Sequence, residues 1–187
     1  MTRITSVVLA YGIAAGLIVA VPMVALMLTL TAETAPDNGA LYGYLTMIVA
    51  LTAVFLGVKH YRDKVLGGAV RFVPALLVGL GISAVASVIY AIGWEISIAL
   101  TGFDFGASYT HAMVEAARAQ GASAAELERV TEQTAAFARM YSNPLFRFPI
   151  TFVEMFPIGV VIAALSAALL RNSRFLPARD LRSPLSE

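Results

Sequence analysis

The chain has no cysteine and only two histidines among its 187 residues. Disulfides, thiolate nucleophiles and thiolate metal sites are therefore excluded, and cysteine usage carries no mark of a redox compartment. Charge is scarce as well. Asp, Glu, Lys and Arg make up 13% of the residues, against about 25% in soluble domains. The net charge of +1 gives no electrostatic footprint for nucleic acid. Gly67-Gly68 is followed by no Gly-Lys-Ser or Gly-Lys-Thr, so it reads as a loop pair and not a phosphate cradle. What the chain does have is apolar: 59% of its residues, with a mean hydropathy of +0.79. That composition belongs to a membrane protein, and the length to one domain covering 1–187.

Four long apolar stretches predict four membrane-spanning helices, at about 4–31, 41–58, 72–100 and 146–170. A span needs about 20 apolar residues. Backbone groups in lipid pair only within helices or closed barrels, and none of these stretches alternates as barrel strands do. The first run is longer than the about 7–15 apolar residues of a signal-peptide core, and small residues do not line up for cleavage. It reads as a retained anchor, kinked at Pro22. The fold class is all-α: an integral membrane four-helix bundle, with an extramembrane helical hairpin between the third and fourth spans.

Nine basic residues fall on one side of this arrangement: Arg3, then Lys59, Arg62, Lys64 and Arg71, then Arg171, Arg174, Arg179 and Arg182 in the tail 171–187. Four fall on the other: Arg118, Arg129, Arg139, and Arg147 at the membrane edge. The positive-inside rule then predicts both termini in the cytoplasm. His60 and His111 land on opposite sides and share no metal. Tyr42, Tyr44, Phe103, Phe105 and Phe146 are expected in the outer aromatic belt.

The third connection is too long to be structureless and predicts a helical hairpin at about 104–143. Ser108 to Gln120 is its first helix, ended by Gly121. Ser123-Ala-Ala-Glu126 is a capping box that opens the second. Leu127, Val130, Thr134, Phe137, Ala138 and Tyr141 form an inward stripe, and Asn143-Pro144 stops the helix.

Glu95 and Glu154 sit inside the third and fourth spans. An acid there costs about 2.5–3.5 kcal/mol on insertion scales, which makes each a candidate functional residue. Gly79, Ser83, Ser87 and Ala91 recur every four residues, a face for close helix packing. Glu95 continues that series toward the helix interface. Gly12, Gly16 and Ala20 give the first span a matching face, and Gly159, Ala163 and Ala167 the fourth. Counting from the span ends places the two carboxylates at similar depth. If they meet, they do not both ionise, and one keeps a proton or the pair shares a cation. The plainer alternative is that each bonds to Arg147 or Arg139, or to Trp94, Tyr90 or Tyr141. Pro157 also leaves the Val153 carbonyl without its helical donor beside Glu154. The candidate intramembrane site is Glu95, Glu154, Trp94, Tyr90 and Arg147. Lys59, Arg62, Lys64 and Arg71 form a basic cluster beside the second and third spans. Its first role is topology and its second is contact with anionic lipid, at about 1 kcal/mol per charge.

Several strings, in this order and spacing, resemble one family. They are Gly57-x-x-x-Tyr61-Arg62-Asp63 with Gly67-Gly68 and Phe72, then Tyr90-x-x-x-Trp94-Glu95, then Asn143-Pro144 and Phe152-x-Glu154-x-Phe156-Pro157-x-Gly159. The alanine-rich hairpin fits as well. From about Tyr11 to Leu170 the chain is similar to the uncharacterised bacterial membrane-protein family called domain of unknown function 4199. The resemblance implies four spans and a bacterial membrane, and supplies no activity. It also marks Tyr61, Arg62, Asp63, Trp94, Glu95 and Glu154 as recurrent polar positions. The resemblance thus implies a second candidate site, Tyr61, Arg62 and Asp63, in the cytoplasmic connection between the second and third spans, where Arg62 and Asp63 clamp the second helix end or form a docking point.

The expected protein is thus a small multi-pass protein of a bacterial inner membrane. It is expected to be non-enzymatic, a scaffold or accessory subunit, with no cofactor. Its expected partners are the lipid bilayer and a second copy or another membrane protein, with no nucleic acid. The alternative is a proton- or cation-coupled carrier using Glu95 and Glu154.

Overall fold

The computed structural model describes residues 3–29 and 39–177. Among them are six α-helices: α1 (Arg3–Thr29), α2 (Gly39–His60), α3 (Phe72–Thr101), α4 (Phe105–Ala119), α5 (Ala124–Tyr141) and α6 (Pro144–Leu170). A π-helical turn, Tyr61–Val65, extends α2. The first connection, Arg179 and Arg182 lie outside the described residues, as does the Tyr42 side chain.

Two helix starts come earlier than the apolar pattern indicates, and both have a polar cause. α4 begins at Phe105 and not at Ser108, because the Asp104 carboxylate accepts from the Ala107 amide at 2.9 Å. α6 begins at Pro144 and not at about 146. The Asn143 side chain accepts from the Leu145 amide at 3.0 Å, and Pro144 takes the first turn, where its missing N–H costs nothing. Asn143-Pro144 therefore starts the fourth long helix as well as ending α5. α1 runs through Pro22, and α6 through Pro149 and Pro157.

Small residues set the register of the bundle. Along α1, Gly12 faces Val85, Gly16 faces Ile89 and Ala20 faces Gly93. The partner on α3 advances as the residue on α1 advances, so these helices run parallel. Along the other side of α3, Gly79 faces Ala163 and Ser83 faces Gly159. Here one index rises as the other falls, so α3 and α6 are antiparallel. A methyl group built on Gly159 would lie 2.6 Å from the Ser83 Cβ, well inside contact distance. Only glycine allows this approach, as in close membrane-helix pairs. α2 closes the bundle against α1, α3 and α6. The core is formed by residues such as Leu51, Val54, Ile82 and Met155, all fully buried.

These directions gather Arg3, the π-turn, Phe72 and Leu170 at one end of the bundle. The α4–α5 hairpin sits at the other. Four segments are long and apolar enough to cross a membrane: α1, α2 with its π-turn, α3 and α6. Only 33–39% of each one's most apolar stretch is buried inside the protein. The remainder faces outward, with Leu17, Val49, Leu77, Val161 and Leu165 among the exposed side chains. Soluble monomers rarely carry apolar patches on this scale.

The hairpin turn holds the capping box in full. The Ser123 hydroxyl accepts from the Glu126 amide, and the Glu126 carboxylate accepts from the Ser123 amide at 2.8 Å. Gly121 precedes it in the left-handed region at φ +79°. The bonds from the Ser123 amide and hydroxyl hold the Glu126 carboxyl below the usual carboxylate range. A depressed folded value means stabilisation that is complete above the unfolded value and is lost as pH falls through the folded one. Amide exchange at residues 124–127 is accordingly expected to quicken as pH falls below the ordinary carboxylate range, after correction for intrinsic rates. Ser123→Ala is expected to cost the hairpin about 1 kcal/mol, read as the same local exchange at neutral pH.

Candidate functional site

The hairpin end of the bundle carries a polar cluster built from α3, α5 and α6. Arg147, near the start of α6, is its centre. Its Nε and Nη2 donate to the two carboxylate oxygens of Glu95 at 2.8 and 2.5 Å, a bidentate pair. Its Nη1 donates to the Tyr141 carbonyl at 3.3 Å. The Trp94 indole donates to the Tyr141 hydroxyl at 2.9 Å. Arg147 and Tyr141 are buried, and Glu95 and Trp94 half-buried. Burial pushes the Tyr141 phenol above its ordinary range, so it stays neutral. One arginine thus joins the third long helix, the fourth and the hairpin.

Phe105 completes the joint. It packs against Trp94 with ring centroids 5.8 Å apart, and against Tyr141 at 4.8 Å. Tyr109 and Phe137 extend the stack up the hairpin. Phe105 therefore lies within the hairpin's aromatic stack.

The structure brings together Glu95, Arg147 and Trp94, with Tyr90 and Glu154 one level further in. The Tyr90 hydroxyl donates to Glu154 at 3.3 Å. Each acid thus has its own partner, and the shared carboxylate pair considered from the sequence is replaced by two separate contacts. The depths differ for a geometric reason. Glu95 and Arg147 continue the α3–α6 register set by Gly79–Ala163 and Ser83–Gly159. Glu154 lies seven residues along α6 from Arg147, about 10 Å deeper at about 1.5 Å per residue. Its side chain is exposed on the flank of the bundle, off the face that carries Gly159 and Ala163.

The opposite end holds the second candidate group. Tyr61 and Arg62 are both buried within the π-turn. The Arg62 guanidinium donates through Nε to Asp63 at 2.6 Å, and Asp63 also pairs with Lys59. Its Nη1 and Nη2 donate to the carbonyls of Phe175 at 2.8 Å and Leu176 at 2.5 Å. The tail folds back under the bundle to supply them. Sequence reasoning missed Phe175 and Leu176, because a main-chain carbonyl has no residue-type signature.

In the hairpin, Glu115 pairs with Arg118 at 2.6 Å. Both line an open groove between α4 and α5, together with His111 and Arg139.

These features define an all-helical protein with four helices of membrane-crossing length and a charged joint beneath a helical hairpin. Residues 10–172 match the family described as protein of unknown function (DUF4199). The chain belongs to that family. No curated protein and no solved structure matches it.

Proposed function

We propose that the chain is a four-span protein of a bacterial inner membrane, with both termini cytoplasmic and the hairpin periplasmic. In this reading it is a non-enzymatic scaffold or accessory subunit. The observation that carries it is the closed bonding of the outer cluster. Both Glu95 oxygens are taken by Arg147, whose third nitrogen is taken by the hairpin backbone. A carboxylate fixed by a bidentate arginine holds a structure together and is poorly suited to exchanging protons. The small-residue faces of α1, α3 and α6 are used inside the bundle. Outward association therefore falls to the exposed apolar flanks and to the hairpin.

The carrier reading retains one specific support. Glu154 is exposed on the bundle flank and has a single long contact from Tyr90. A proton- or cation-coupled function would run through Glu154, with Glu95 in a structural role.

Two measurements separate the readings. A scaffold or accessory subunit is expected to co-purify with a fixed partner, or with a second copy, from native membranes. Purification as a lone monomer contradicts it. Glu154→Gln is expected to leave assembly and co-purification unchanged, since Glu154 takes no part in the Arg147 joint. Proton or cation flux into liposomes that appears with the native protein and disappears with Glu154→Gln would establish the carrier instead.

A further inference from the structure

Arg62 is the bulkiest fully buried side chain among the described residues. Its charge has one carboxylate beside it, Asp63, and Lys59 shares that acid. The outer edge of the guanidinium aims two donors at two successive main-chain carbonyls, those of Phe175 and Leu176. A planar fork of this kind matches two oxygens of one phosphate. Here neutral carbonyls fill it.

The segment that supplies them is lightly seated. All of residues 171–177 are exposed, so little apolar contact holds them down. Leu176 sits at φ +46°, a backbone region that residues other than glycine, asparagine and aspartate seldom occupy. That conformation lets two consecutive carbonyls turn toward one guanidinium. The surrounding charge favours an anion. Residues 59–71 and 171–177 together contain six lysines and arginines against one acid.

We propose that the Arg62 fork is a phosphate-binding site that the C-terminal strap, residues 171–177, covers. The ligand is a phosphate group, carried by an anionic lipid headgroup or free in solution. It replaces the Phe175 and Leu176 carbonyls at Nη1 and Nη2, and the strap comes away. The lipid source rests on the membrane placement proposed above; the fork and its strap do not.

The test uses the full chain with spin labels at Leu66→Cys and Ser173→Cys, both exposed positions, reconstituted into lipid nanodiscs. In phosphatidylcholine discs the label-to-label distance is expected to be short and narrow. Release of the strap lengthens and broadens it. Release in phosphatidylglycerol discs alone identifies the lipid headgroup, and release on adding inorganic phosphate to phosphatidylcholine discs identifies the free anion. An unchanged distance in both arms overturns the proposal. Leu176→Gly removes the strain without touching Arg62. It is expected to raise the lipid fraction or phosphate concentration needed for release several-fold, and an unchanged midpoint would also overturn it. Arg62→Lys, a point donor in place of a fork, is expected to leave the strap loose and insensitive to either probe. Ligand-driven release surviving in that variant would exclude the fork as receptor. Incorporation into the discs reports membrane embedding by itself, so failure of release leaves the membrane placement standing.

Discussion

Arg147→Ala is expected to lower stability by about 3 kcal/mol. Removing one partner of a buried ion pair costs about 3–5 kcal/mol, chiefly because the other charge is left unpaired. The lower end applies here, since Glu95 keeps 25% of its side chain exposed. The loss should appear as a lowered unfolding midpoint in detergent micelles, with faster amide exchange in α5. Substituting Glu95 as well removes the stranded carboxylate. Glu95→Ala with Arg147→Ala is therefore expected to cost clearly less than the sum of the two single changes. Strict additivity would show that the pair contributes nothing to the joint.

The second large effect lies in the seam between α3 and α6. Gly159→Ala places a methyl group 2.6 Å from the Ser83 Cβ and 2.7 Å from its hydroxyl. Overpacking of a close contact costs about 1–3 kcal/mol. Ser83 is fully buried on a helix face that continues into the seam, so the upper half of that range is expected. The remedy is specific. Ser83→Gly removes the atoms that the new methyl strikes, and the double variant is expected to recover at least half of the loss. Chemical unfolding of the four proteins in one detergent reads this directly. If Ser83→Gly adds its own cost to that of Gly159→Ala, the register of the two helices is wrong.

The sequence reading recovered the features that have a local cause. Long apolar runs locate the four long helices to within a few residues. Ser123 and Glu126 mark the hairpin turn because a capping box is completed within four residues. The step of four from Gly79 to Ala91 marks a packing face because helical geometry alone brings those residues into line. Features that depend on residues distant in sequence were not legible. The level of Glu154 relative to Glu95 follows from how Gly79 and Gly159 seat against Ala163 and Ser83, a relation between two helices that neither sequence states. Counting from an apolar boundary hid it further, because Asn143 and Pro144 begin α6 in a polar stretch. The contact of Arg62 with Phe175 and Leu176 joins positions more than a hundred residues apart, through main-chain atoms. Arg62 was identified as a candidate from its neighbours and its family string, yet its partners had no signal of their own.

The two polar groups now have distinct characters. The one at the hairpin end is a joint in which Arg147 holds the hairpin to α3 and α6. The one at the opposite end is a clasp in which Arg62 holds the tail to the end of α2. Both lie where chain segments outside the four long helices return to them. Glu154 lies one level along the bundle from the joint, on its flank, with Tyr90 as its partner.

The absence of native cysteine allows the central claim, four crossings with the hairpin and the clasp on opposite faces, to be tested with one labelling measurement. Ser123→Cys, in the hairpin turn, and Ser173→Cys, in the strap, are each treated with a membrane-impermeant maleimide on bacterial cells with a permeabilised outer membrane. Ser123→Cys is expected to label at once, and Ser173→Cys only after the inner membrane is opened. Labelling of both positions from the same side would contradict the account.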